Sequence, residues 1–121
     1  MAKIIGTKDK IIAEAVRTFP GLEHRIELVS ILKGVSYYND SFATTPESAT
    51  IALKSFQQSI VMLAGGAEKN SNFKELAKTI NKKVKFLVLF SGDATLRLKR
   101  EVERSGFNKN KIKIAKSMQE A

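Results

Sequence analysis

Asn39, Asp40, Ser41, Thr44 and Thr45 crowd one short stretch, a polar cluster richer than a plain turn requires. The residues that follow open a helix: Thr45 can accept at the N-cap, Pro46 is tolerated at the first helical position, and Glu47 suits the positive end of the helix dipole. The residues that precede it, Val35 to Tyr38 after Gly34, are β-branched and aromatic and read as a strand. The cluster is therefore predicted to lie between the carboxyl end of a strand and the amino end of a helix, where free backbone N–H groups can meet an anion. The same residue types are ordinary turn and cap formers, and the local pattern alone leaves both readings open.

Two other stretches carry groups that could bind. Lys69 follows Gly65-Gly66-Ala67-Glu68, where two glycines allow a tight turn or a close approach to a ligand, and its ammonium could meet a carboxylate or phosphate. No Gly-Lys-Ser/Thr follows at Walker spacing, so residue pattern alone reads this as a turn with a surface lysine. His24 and Arg25 sit in a connector after Pro20-Gly21, and His24 is the only histidine. No acid or nucleophile stands at a fixed spacing from it, so no triad, no catalytic residue and no metal-binding set is assigned to the chain.

The elements that must position these groups follow from periodicity. Ile11, Ile12, Ala15, Val16 and Phe19 recur at helical spacing, predicting an amphipathic helix over 9–19 that Pro20-Gly21 stops and that should pack on the domain or a partner. Residues 26–32 alternate in part and pair with 35–38 as a hairpin turning at Gly34. After Pro46 a helix runs to about 57 with Ala49, Ala52, Leu53 and Phe56 inward. Ser59 to Ala64 is a continuous apolar run, predicted as a strand buried on both faces. Phe73, Leu76, Ala77 and Ile80 mark the next helix, 84–90 the next strand, and 94–105 a helix with Leu96, Val102 and Leu98 inward, closed by Gly106. A short strand at 111–114 and the start of a helix at 117–121 complete the reading. Strand and helix alternate from residue 59 onward, so the fold class is α/β with a mostly parallel sheet.

At 121 residues the chain makes a single domain. It has no cysteine, which excludes disulfides and thiolate sites and fits a reducing compartment. No apolar run approaches the ~18 residues of a membrane span, and no signal-peptide core follows Met1; a cytoplasmic location is expected. The net charge of +9 falls mostly after Lys69. Lys82, Lys83, Lys85, Arg97, Lys99, Arg100, Lys109, Lys111 and Lys113 are spread over helix faces and strand positions without aromatic interleaving, which reads as a solvated surface rather than a nucleic-acid groove.

Three segments together resemble one family. Asn39-Asp40-Ser41-Phe42-Ala43-Thr44-Thr45-Pro46-Glu47 is similar to the Asp-Ser-Lys-Ala-Thr-Asn-Pro segment that opens the C-terminal domain of Mur ligases. Gly21-Leu22-Glu23-His24-Arg25-Ile26-Glu27 resembles the interdomain Gly-Leu-x-His-Arg-x-Glu of the same enzymes, and Leu63-Ala64-Gly65-Gly66-Ala67-Glu68-Lys69 their Leu-Gly-Gly-x-x-Lys. The order and spacing agree, most closely with the branch that adds D-glutamate to UDP-N-acetylmuramoyl-L-alanine in peptidoglycan synthesis.

The resemblance implies a Rossmann-like three-layer domain with an N-terminal β-hairpin and flanking helices, the amino-acid-binding part of an ATP-dependent amide-forming ligase. It implies substrate contacts at Thr44, Lys69 and Ser41, and nucleotide contacts at Arg25, Asp40, Asn39 and His24. In such enzymes ATP phosphorylates the substrate carboxylate and the amino acid's amine attacks the acyl-phosphate; phosphate cradle and Mg2+ belong to the central domain. Residues 1–20 correspond to the tail of that domain or to a helix particular to this chain, and 21–121 to the C-terminal domain without its last strand and helix. This chain alone is thus expected to bind neither ATP nor Mg2+ and to be inactive. Phe42 stands where the family has lysine, and Ala67 where an acidic residue is common. The alternatives are a folate-type ligase domain and a stand-alone basic binding or regulatory domain.

Overall fold

The computed structural model describes residues 1–67 and 70–121. The chain divides into two compact units, Met1–Asn39 and Asp40–Ala121.

The first unit holds α1 (Asp9–Thr18) and the antiparallel pair β1 (Glu27–Leu32) and β2 (Val35–Asn39). The hairpin turns through Lys33-Gly34, both at positive φ (50° and 77°), the twist that matches right-handed strands. The predicted alternation is interrupted: pairing runs from Leu28↔Tyr38 to Ser30↔Tyr37, so Val29 forms a bulge. The strand starts at Glu27, one residue later than its pattern suggests, because Ile26 has φ 48° and leaves the extended region. The helix forms where expected, but none of its residues is buried; Ile11, Val16 and Phe19 stay exposed.

The second unit contains α2 (Pro46–Ser55), β3 (Ile60–Ala64), α3 (Lys74–Lys83), β4 (Val84–Phe90), α4 (Thr95–Arg104), a 3₁₀ turn (Lys109–Lys111) and β5 (Ile112–Ala115). Its three strands are parallel in the order β3-β4-β5, and with the hairpin they make the mixed α/β fold expected. Leu53 of α2, Leu76 and Ile80 of α3, and Leu98 and Val102 of α4 pack with Leu87 and Leu89 of β4 in one core. Ile80, Leu87, Leu89 and Val102 are fully enclosed.

Three expectations are corrected here. The strand β3 is not buried on both faces: Ile60, Met62 and Ala64 meet the core while Val61 and Leu63 alternate outward at 48% and 45% exposure. It is a terminal strand of the described sheet, with a neighbour on one side only. In α4, Leu96 faces solvent, and the inward stripe is Thr95, Leu98 and Val102. Residues 117–121 form turns instead of a helix, with Glu120 N–H donating to Ser117 O at 3.2 Å and Ala121 N–H to Met118 O at 3.3 Å.

The end of α4 shows how sequence sets a boundary. Gly106, at φ 93°, donates to Glu103 O at 3.0 Å, and Phe107 N–H reaches back to Val102 O at 3.3 Å. This pair of bonds is a Schellman motif, and its apolar partners Phe107 and Val102 both lie in the core.

Candidate ligand-binding loops

Lys83 Nζ donates to Phe56 O at 2.8 Å, joining the carboxyl end of α3 to that of α2. The two helices therefore run the same way, and α3 leads directly into β4. Their amino ends accordingly lie at the edge where β3 and β4 finish. The loop before α2, the loop after β3 and the loop after β4 share that edge, the usual ligand side of a parallel sheet.

The loop from Asp40 to Thr45 turns twice. Ala43 N–H donates to Asp40 O at 2.9 Å and Thr44 N–H to Phe42 O at 2.8 Å. It ends in a capping box: Thr45 Oγ1 accepts from Ser48 N–H at 3.2 Å, and Ser48 Oγ accepts from Thr45 N–H at 3.3 Å. Thr45 is thus committed to the helix end, as its position predicts. Ser41 and Phe42 are exposed, and Asp40 is half-buried. The side chain at Phe42, where the resembling family carries a lysine, is 63% exposed and adds no charge.

The loops after β3 and β4 close on each other through glycines. A Cβ on Gly65 would stand 2.8 Å from Phe90 Cβ, and one on Gly92 3.1 Å from Gly66 O. Thr95 Oγ1 donates to Phe90 O at 2.5 Å and Thr95 N–H to Gly92 O at 3.1 Å, fixing the turn that starts α4. Arg97, given no role by the sequence reading, lies 5.3 Å from the Phe73 ring centroid and donates to Ser71 O. It ties the two loops together. The sequence signal was the placement of a cation one helical turn after Ser91-Gly92-Asp93, directly behind a strand. Lys69 lies outside the described residues.

In the first unit, Gly21–Glu27 forms a tight turn. Arg25 N–H donates to Leu22 O at 3.2 Å, and Leu22 and Arg25 make an isolated antiparallel bridge. His24 (φ 61°) and Ile26 (φ 48°) flank Arg25 in the left-handed region, which side chains other than glycine enter at a cost of about 1–3 kcal/mol each. Of the predicted nucleotide-contact residues, the structure brings together two: Asn39 Nδ2 stands 2.8 Å from His24 Nδ1. The Asn39 amide therefore has a partner within the chain. The His24 ring also faces Glu23 (Nε2 to Oε1, 3.6 Å) and Glu27 (Nδ1 to Oε2, 3.7 Å). Arg25 is exposed, its guanidinium open to solvent-borne anions.

Among the described residues, no three His, Asp or Glu side chains gather as a metal-binding group. Among the same residues, no helix is long and apolar enough to cross a membrane.

Comparison with known proteins gives a consistent picture. The profile of the family described as "Mur ligase, glutamate ligase domain" matches residues 24–121. A UDP-N-acetylmuramoylalanine–D-glutamate ligase of Roseiflexus sp. (strain RS-1) is 53% identical over 89 residues, 74% of this chain and 19% of the relative. The protein of that name from Caldanaerobacter subterraneus subsp. tengcongensis is 36% identical over all 121 residues, 27% of its own length. That from Clostridioides difficile (strain 630) is 41% identical over 112 residues, 93% of this chain and 24% of the relative. The chain spans about a quarter or less of the curated relatives it matches.

Proposed function

Because the chain belongs to the Mur ligase glutamate-ligase-domain family, we propose that it is the amino-acid-binding C-terminal part of an ATP-dependent ligase that adds D-glutamate to UDP-N-acetylmuramoyl-L-alanine. The observation that carries this reading is the clustering of three loops at one edge of the parallel sheet, with the Asp40–Thr45 loop opening α2 there. These relatives all bear the D-glutamate ligase name, which favours this branch over a folate-type ligase or a stand-alone basic domain.

In this proposal Thr44 and Lys69 hold the carboxylates of D-glutamate, a hydroxyl and an ammonium being apt anion partners. Ser41 assists from the same loop. Arg25 and Asp40 meet the nucleotide; Asn39 and His24 act with them by shaping the turn. ATP supplies the phosphoryl group that activates the acceptor carboxylate. The domain's task is to present the amine in line and exclude water. Phosphate cradle and Mg2+ belong to the remainder of the ligase, and residues 1–20 to the segment that leads out of it. The location is the cytoplasm, where the nucleotide substrates are.

A two-dimensional NMR titration of the chain with D-glutamate, L-glutamate and ATP-Mg in turn tests the reading. The expected result is D-selective shifts at the Thr44 and Lys69 amides. Equal shifts from both isomers, with the largest changes elsewhere, would contradict the assignment of the pocket.

A further inference from the structure

The turn carrying Arg25 is held in a conformation its own residues do not prefer. His24 and Ile26 are both left-handed, and Ile26 is β-branched, the type least suited to positive φ. Such a conformation persists where the surroundings determine it. The surroundings are visible. His24 N–H donates to Glu27 Oε2 at 2.8 Å, and the His24 ring meets Asn39 Nδ2 at 2.8 Å. Glu27 and Asn39 are themselves cross-strand partners at the open end of the hairpin. One residue of each strand therefore grips His24, one by its backbone and one by its ring.

We propose that Glu27 and Asn39 form a clasp that sets the left-handed turn and so positions Arg25 for its nucleotide. This rests on the nucleotide reading of Arg25 given above. Glu27 is a positioning residue, acting through the His24 peptide; it touches no substrate. A carboxylate acceptor suits the task because hydrogen bonds to ionised groups are stronger than neutral ones. The arrangement also makes the hairpin the base of the turn: Lys33-Gly34 closes one end of the ladder, and the clasp closes the other. Arg25 itself is exposed, so the clasp orders a residue that contributes no burial.

The test uses Glu27→Ala, Glu27→Gln, Asn39→Ala and Arg25→Ala. Amide exchange at His24 is measured on the 121-residue chain. The KM values for ATP and D-glutamate and the kcat are measured on a full-length ligase carrying this chain. Glu27→Ala is expected to speed His24 exchange about tenfold or more and to raise the KM for ATP about three- to tenfold, with the KM for D-glutamate unchanged. Glu27→Gln keeps an oxygen acceptor and is expected to recover most of both, and Asn39→Ala to show a smaller change in the same direction. Unchanged His24 exchange in Glu27→Ala would overturn the clasp. Faster exchange with an unchanged KM for ATP, while Arg25→Ala raises it, would overturn the positioning role alone. An Arg25→Ala enzyme with the parent's KM for ATP would refute the nucleotide reading itself, and the positioning role with it.

Discussion

Gly65 is where a single missing Cβ decides whether two loops can meet. With alanine there, the new methyl would stand 2.8 Å from Phe90 Cβ, which belongs to a strand and cannot swing away. Gly65→Ala is expected to destabilise the second unit by about 1–3 kcal/mol, the usual cost of overpacking, read as a lower denaturant midpoint. Electrostatics at the same scale is modest. The Glu75 carboxyl is held below its ordinary 4.5 chiefly by the hydrogen bond from Lys78, at 2.8 Å, with the charge of Lys78 adding to it. A depressed carboxyl contributes stability above its unfolded pKa and loses it as pH falls through the folded one. Lys78→Ala should therefore raise the Glu75 pKa toward 4.5 in an NMR titration and flatten that acid-side slope. Because this pair is exposed, global stability at neutral pH should scarcely move.

Elements carry most of the stability and most of what periodicity reveals. Thr45→Ala removes the side-chain acceptor of the α2 capping box and is expected to cost about 0.5–2 kcal/mol. Leu89→Ala empties a fully enclosed position in β4 and should cost about 2–5 kcal/mol. Cap, hairpin turn and the α3 stripe are all readable from sequence, in Thr45-Pro46-Glu47, in Gly34 between two strand patterns and in the spacing of Phe73, Leu76, Ala77 and Ile80, whereas the positive φ of Lys33 is not. The errors have physical causes too. In α4 the larger Leu96 drew the inward assignment, yet Thr95 takes that place because its hydroxyl has a partner in Phe90 O. In β3 an unbroken apolar run hid a face that lies outside the core. The left-handed pair around Arg25 was invisible, because neither His24 nor Ile26 is a residue that announces positive φ. Glu27 closes the Gly21–Glu27 motif, but only the folded turn shows its carboxylate accepting from the His24 peptide.

Of the two compact units, the second carries the proposed ligand edge, and the proposed chemistry is that of the whole ligase. A net charge of +9 suits anionic small molecules, which gain from a positive field without any base-reading surface. Ser41 and Thr44, proposed for D-glutamate, lie in the loop that opens α2, whereas His24, Arg25 and Asn39, proposed for nucleotide, belong to the first unit. The two sets should therefore separate in kinetics. In the proposed ligase this chain holds the amino acid. Steady-state kinetics of a full-length ligase carrying it, with Thr44→Ala and Lys69→Ala compared against the parent, tests that most directly. Each variant should raise the KM for D-glutamate about tenfold or more, the value of a hydrogen bond to a charged group, while the KM for ATP stays where it was. A KM for D-glutamate unchanged in both variants, or one that rises only in step with the KM for ATP, would refute that role.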